Sequence, residues 1–210
     1  MCKVRSSNGK RPVIALDIDG TLGNYHAHFI TFAEAWTGRA LPDPLDINPG
    51  IPLHKHLGLG KATYRACKLA YRQGGMKRSM PVYPHAAELT KNLRRAGAEV
   101  WICTTRPYLR LDNIDPDTRH WLRRHGIQYD GVLFGENKYR ELVKRVDRKR
   151  VVAVLDDLMA MVGQAQGLGL PAYLRDQPYN QYVSNTYRIH DLKEAEVFFW
   201  NLIQQWKANQ

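Results

Sequence analysis

The segment Pro12 to Asp19, PVIALDID, constrains this chain more than any other. It is a short, unbroken apolar run ending in carboxylates, which reads as a strand buried on both faces of a parallel sheet with polar chemistry at its carboxyl end. Four similar runs follow, Ala98 to Thr104, Tyr129 to Phe134, Arg150 to Leu155 and Leu170 to Leu174. Helical stretches separate them. Pro84 to Ala96 sets Ala87, Leu89 and Leu93 at helical spacing and stops at Gly97. Asp115 before Pro116 reads as an N-cap with proline at the first helical position, in a helix that stops at Gly126. A last helix, Leu192 to Trp206, offers Val197, Phe198, Leu202 and Trp206 for packing. Strands alternating with helices imply an α/β fold, a parallel sheet flanked by helices on both faces.

One segment breaks the alternation. Between Gly23 and Met80 the strand signals vanish and two helical stretches replace them, joined by the Pro/Gly-rich LPDPLDINPGIP. In the first, Tyr25, Phe29, Phe32 and Trp36 recur every three to four residues until Gly38. In the second, Lys61 to Gln73, the stripe Tyr64, Cys67 and Tyr71 lies opposite basic positions. The expected organisation is a core of residues 1–22 and 81–210 carrying a helical cap inserted at 23–80. An insertion placed directly after the first strand overhangs the carboxyl ends of the strands, where open α/β sheets bind ligands.

With 210 residues the chain is long enough for a substantial core. Lys plus Arg number 31 against 20 Asp plus Glu, a net charge of +11, which favours phosphorylated or polyanionic partners. The excess is concentrated: no acidic residue occurs between Asp46 and Glu88, where Lys55, Lys61, Arg65, Lys68, Arg72, Lys77 and Arg78 all fall. Three cysteines, Cys2, Cys67 and Cys103, lack metal-ligand spacing and fit a reducing compartment. No apolar run approaches the roughly 18 residues of a membrane-spanning helix, and the polar opening MCKVRSSNGKR has no signal-peptide core. These features point to a cytoplasmic protein without a membrane partner. The pairs His26/His28 and His54/His56 alternate as zinc ligands can, but no Cys or acidic residue is spaced to complete a site.

The chemistry concentrates at strand ends. In Asp17-Ile18-Asp19-Gly20-Thr21 the side chains alternate, so Asp17 and Asp19 point the same way. Two carboxylates there can hold a hard cation while one attacks phosphorus. A calcium loop of the EF-hand type is excluded, because its obligatory Gly and Glu positions are here Leu22 and His28. The second strand ends Trp101-Ile102-Cys103-Thr104 with Thr105 and Arg106 behind it, and the fourth ends in Leu155-Asp156-Asp157. Lys138 opens a helix after the third strand; Lys144 and Lys149 are rivals for the same place. This ordered set resembles the four motifs of the haloacid-dehalogenase-like (HAD) phosphohydrolases, and it spans nearly the whole chain.

The resemblance implies a Rossmann-like core and an aspartyl-phosphate mechanism. Asp17 would be the nucleophile and Asp19 the general acid and base, while Thr104 and Lys138 would hold the transferring phosphoryl group. Magnesium would sit among Asp17, a backbone carbonyl at Asp19, and the Asp156/Asp157 pair. Within the superfamily the chain looks most like the 5'(3')-deoxyribonucleotidases of bacterial and phage type. That likeness rests on the cap length, the ICTTRP segment, a Trp-bearing helix (Thr118 to His125) and Pro178-Tyr179-Asn180. It implies a nucleoside monophosphate as substrate, with Thr105 and Arg106 near the phosphate and Phe29, Tyr64 and Arg65 as candidate contacts from the cap. Among Tyr25, Phe29, Phe32, Trp36 and Tyr64, one ring could stack a base.

Two other readings remain at this level. Lys138 about eighteen residues before an apolar-Asp-Asp also resembles the phosphatase domain of phage polynucleotide kinase-phosphatases. With the basic cap as a nucleic-acid track, that suggests a polynucleotide 3'-phosphatase. The other is a non-catalytic nucleic-acid-binding HAD scaffold, disfavoured because several like charges kept together at a strand edge are costly without a cation. Oligomeric state is open, and a homodimer is compatible with the sequence.

Overall fold

The computed structural model describes residues 11–43, 51–107, 111–184 and 187–210. Cys2, Asp46 and residues 44–50 of the Pro/Gly-rich connection lie outside the described residues. The strands are β1 (Val13–Leu16), β2 (Glu99–Thr104), β3 (Gly131–Phe134), β4 (Val151–Asp156), β5 (Ala172–Arg175) and β6 (Arg188–Ile189). The helices are α1 (Tyr25–Thr37), α2 (Leu53–His56), α3 (Lys61–Gln73), α4 (Ala86–Arg95), α5 (Ile114–Arg124), α6 (Lys138–Arg145), α7 (Met159–Gly167) and α8 (Leu192–Ala208). Sequence patterning misses β6, because two residues are too short to show a period; it adds to the edge through Leu174 opposite Arg188.

All pairings are parallel and the order is β3-β2-β1-β4-β5-β6. The chain therefore steps outward from β1 to β3, then returns to the other side of β1. The crevice at that reversal, beyond the carboxyl ends of β1 and β4, is where such sheets bind ligands. Every residue of β1 is fully buried because both faces are covered. Val13 and Ala15 pack with Tyr139 and Leu142 of α6 and Val162 and Ala165 of α7. Ile14 and Leu16 face α4, α5 and α8 through Leu89, Trp121 and Phe199. The register of β1 on β4 shifts between Val13 and Ile14, and Val152 and Ala153 consequently turn to the same core.

Two local expectations are corrected. Helix α5 begins at Ile114 with Asn113 at its cap position, so Asp115 and Pro116 lie inside the first turn. Asn113 Nδ2 instead donates to the Arg72 carbonyl and to Asp117, both at 2.7 Å. In α8 the core face is Leu192, Ala195, Phe199 and Ile203. Val197 is 62% exposed, whereas Phe198, Leu202 and Trp206 pack along the border of the core. Adjacent helical residues stand about 100° apart, so shifting the stripe by one residue moves it off the core face.

Between β1 and α4, α1 and α3 pack through aromatic rings: Phe29 lies 5.4 Å from Tyr71 and 5.7 Å from Tyr64. Helix α1 ends where Gly38 adopts φ 67°, a left-handed conformation that glycine takes without strain. The two chain segments that enter and leave this region run beside each other. Asn24 N donates to the Pro81 carbonyl and Tyr83 N to the Leu22 carbonyl, both at 2.8 Å. Trp121 of α5, fully buried, donates from its indole to the Met80 carbonyl at 2.6 Å. No helix among the described residues is long and apolar enough to cross a membrane.

Candidate active site

Asp17 leaves β1 with its amide bonded to the Leu155 carbonyl at 3.0 Å, which holds it beside the end of β4. Lys138, the first residue of α6 and fully buried, places its Nζ 2.6 Å from Asp17 Oδ1 and 2.6 Å from Asp156 Oδ2. Its rivals do not reach the site: Lys144 pairs with Glu141 on the surface, and Lys149 is exposed. Asp156 also accepts from the Tyr139 hydroxyl at 2.6 Å and from the Leu158 amide at 3.0 Å. Asp157 accepts from the Tyr179 and Thr21 hydroxyls. Asn180 and Gln177 then tie the turn around Tyr179 to the Asp157 and Gly20 carbonyls, at 2.9 and 2.6 Å. Gly20 is required here: its φ is +93°, and a Cβ would stand 2.3 Å from Asp157 Oδ2.

Asp17, Asp156 and Asp157 each bring one carboxylate oxygen within 4.8 Å of the others. Burial raises Asp17 to about 7; Asp156 and Asp19 push the same way, while Lys138 opposes them. Burial, with Asp156 and Asp17 nearby, also raises Asp157 well above the ordinary carboxylate range. Burial alone would lower Lys138, but the attraction of Asp156 and Asp17 outweighs it and keeps the lysine charged. A compact set of hard oxygen donors with excess negative charge suits a divalent cation of the magnesium type.

Asp19 is held differently. Arg106 reaches it through Nη2 at 2.6 Å and Nε at 3.2 Å, and Lys77 pairs with its other oxygen. Burial works to raise the Asp19 carboxyl, but Arg106 and Lys77 override it and hold the group well below its ordinary value. Arg106 is itself fixed by the Thr118 hydroxyl at 3.0 Å. Thr104 is fully buried at the end of β2, and its hydroxyl accepts from the Arg106 amide at 3.5 Å.

A cavity of about 190 Å³ opens above these groups. Its floor includes Asp17, Asp19, Thr105, Arg106 and Asp157, and its opposite wall includes Tyr25, Tyr64, Lys68, Arg72 and Lys77. Tyr25 and Tyr64 thus reach the cavity, but three of the five candidate rings do not line it. Phe29 is completely buried, stacked on Tyr25 at 5.6 Å, and is a core residue and not a substrate contact. Phe32 packs on Tyr71, and Trp36 is exposed elsewhere on α1. Arg65 is also displaced from its expected place: it lines an outer depression with Leu69 and Leu111, because it lies one helical turn from Lys68 on the exposed side of α3. Lys77, Tyr139 and Tyr179 escaped the sequence analysis as site residues. Nothing local distinguishes Lys77 from its neighbour Arg78, and the tyrosines matter through contacts 17 and 22 residues away in sequence.

A parallel sheet with two aspartates after its central strand, a threonine after the next, a buried lysine and a carboxylate pair defines a phosphohydrolase of the haloacid-dehalogenase class. Solved structures agree on the fold. A haloacid dehalogenase-like hydrolase of Streptococcus pneumoniae superposes with TM-score 0.60 at 18% identity, covering 90% of this chain and 99% of that one. A HAD-superfamily hydrolase of Geobacter sulfurreducens gives 0.58 at 16% identity, covering 92% and 98%. Residues 11–205 match the family described as "5' nucleotidase, deoxy (Pyrimidine), cytosolic type C protein", and the chain belongs to that family. Proteins of Bordetella pertussis and Bordetella bronchiseptica, each called "Putative 5'(3')-deoxyribonucleotidase", are 26% identical over 80% of this chain and 86% of theirs. The chain is accordingly a phosphoric monoester hydrolase.

Proposed function

We propose that the protein is a magnesium-dependent phosphatase that hydrolyses (deoxy)nucleoside monophosphates through an aspartyl-phosphate on Asp17. The observation that carries this reading is the buried Asp17 carboxylate, 2.6 Å from Lys138 and clustered with Asp156 and Asp157. Asp17, the Asp19 backbone carbonyl and the Asp156/Asp157 pair would hold the metal, with Asp156 also keyed to Lys138. When bound, magnesium neutralises charge on the phosphoryl oxygens and orients them for in-line attack.

The remaining steps belong to the chain itself. An Asp17 oxygen attacks phosphorus and the ester oxygen leaves; water then attacks phosphorus and releases Asp17 and inorganic phosphate. Lys138 and Thr104, both fully buried, stabilise the equatorial oxygens where shielding from water strengthens such contacts. Asp19, held ionised by Arg106 and Lys77, is set to take the proton of the attacking water. To donate a proton to the leaving oxygen it must first lose those cations, and a substrate phosphate is the group able to draw them away. Residues 23–80 act as a cap whose Tyr25 and Tyr64 meet the nucleoside. A cytoplasmic site of action fits the free, buried Cys67 and Cys103.

The decisive experiment is phosphate release from deoxy- and ribonucleoside 5'- and 3'-monophosphates and from sugar phosphates, with magnesium and with EDTA. The expected result is highest kcat/KM for deoxynucleoside monophosphates and no turnover in EDTA. Full activity after exhaustive metal removal, or a preference for sugar phosphates, contradicts the proposal.

A further inference from the structure

Four cationic side chains, Lys68, Arg72, Lys77 and Arg106, line the cavity and Lys138 is buried beside it; the five fall into two groups. Lys138 is committed to Asp17 and Asp156, while Arg106 and Lys77 are committed to Asp19. Lys68 and Arg72, one turn apart on α3, form no ion pair with any carboxylate among the described residues. Among the described residues, Lys68 meets the Tyr64 ring, its Nζ lying 3.5 Å from the hydroxyl and 5.4 Å from the ring centre. Helix α3 and its flanks supply no partner, since no acidic residue lies between Asp46 and Glu88 in the sequence, and Glu34 of α1 accepts from the Leu41 amide instead.

Position separates these two residues from an ordinary solvated face. Lys61 and Arg65 on the same helix are exposed, whereas Lys68 and Arg72 are partly buried and line the cavity opposite Asp17 and Asp157. The same two side chains, with Pro107, also line an adjoining depression of about 320 Å³ that continues outward past Arg65, Leu69 and Leu111. They thus stand between the cavity and the outer depression. Burial and the nearby Arg72 guanidinium depress Lys68 to about 8, with Asp19 opposing them from across the cavity.

We propose that Lys68 and Arg72 form a second anion site beside the phosphoryl site, so that the preferred substrate is a nucleotide bearing a second phosphate one nucleoside away from the phosphate that is cleaved. This rests on the phosphatase reading above and deepens it. Two sources offer that chemistry, a nucleoside 3',5'-bisphosphate and the phosphorylated end of a short oligonucleotide, whose internucleotide phosphate takes the same place. Tyr64, which lines the cavity beside Lys68, then meets the intervening nucleoside.

The test compares thymidine 5'-monophosphate, thymidine 3',5'-bisphosphate and a 3'-phosphorylated dithymidylate. It reads kcat/KM in the wild-type protein and in Lys68→Gln, Arg72→Gln and the double variant, each checked for fold by circular dichroism. Binding is read in parallel by calorimetry on Asp17→Asn, with and without the double substitution, so that affinity is measured without turnover. The expected result is a preference of about tenfold or more for the doubly phosphorylated ligands, as charge-assisted hydrogen bonds of this type give, collapsing towards unity in the double variant. A dinucleotide that matches the bisphosphate assigns the site to polynucleotide ends; a gain confined to the bisphosphate assigns it to free nucleotides. Equal kcat/KM and equal affinity for mono- and bisphosphate, or a preference that survives the double substitution, overturns the proposal. If no ester is hydrolysed while the Lys68- and Arg72-dependent binding preference persists, the phosphatase reading fails and the anion site stands.

Discussion

Asp19 shows how far a residue's neighbours decide its chemistry. Its spacing from Asp17 is visible in the sequence, but the grip of Arg106 and Lys77 is not, because those residues lie 87 and 58 positions away. Asp19→Asn should lower kcat by several orders of magnitude for deoxynucleoside monophosphates and much less for p-nitrophenyl phosphate, whose leaving group needs no proton. Equal losses on both substrates would remove Asp19 from protonation of the leaving oxygen. His26 makes a pH-dependent contribution. It packs on Tyr179 at 4.1 Å between centroids, and burial lowers it from 6.5 to about 4, with Lys68 and Lys77 also lowering it and Asp19 opposing. A depressed folded value means that its stabilising contribution is full above about 6.5 and is lost as pH falls from there towards 4. His26→Gln should therefore reduce the stability difference between neutral and acid pH by on the order of 2 kcal/mol, read by urea unfolding.

At the scale of elements, the strands were legible because both faces of this sheet are covered, which forces continuous apolar runs. The long cap helix α3 was legible for the opposite reason, its sharp division into basic and aromatic faces. Short or capped features were not: β6 has two residues, and the start of α5 depends on Asn113 bonding to a carbonyl 41 residues away. The face of α8 was misread because Val197, Phe198 and Phe199 are all apolar, and only tertiary packing selects Phe199. Phe199→Ala should cost about 3–5 kcal/mol, and Val197→Ala about 0.5 kcal/mol or less. Urea denaturation measures both, and the reverse ranking would contradict the packing of α8.

For the whole molecule, the strand order brings the ends of β1 and β4 together, and with them four aspartates separated by up to 140 positions in the chain. The sequence motifs single out these aspartates, which the fold brings together, because each lies at the end of a recognisable strand. The cavity above them was not legible, since which cap residues face it depends on how α1 and α3 pack. Concentrating carboxylates makes the metal-free molecule less stable, so magnesium should raise Tm by several degrees through binding to the folded state alone, with EDTA reversing it; an unchanged Tm at saturating magnesium would argue against the carboxylate cluster as the metal site. The central claim is that Asp17 is the nucleophile, and its most direct test is kcat/KM for a deoxynucleoside monophosphate in Asp17→Asn, with circular dichroism and Tm confirming the fold. The expected loss is about four orders of magnitude or more; activity within about tenfold of wild type would rule Asp17 out as the nucleophile.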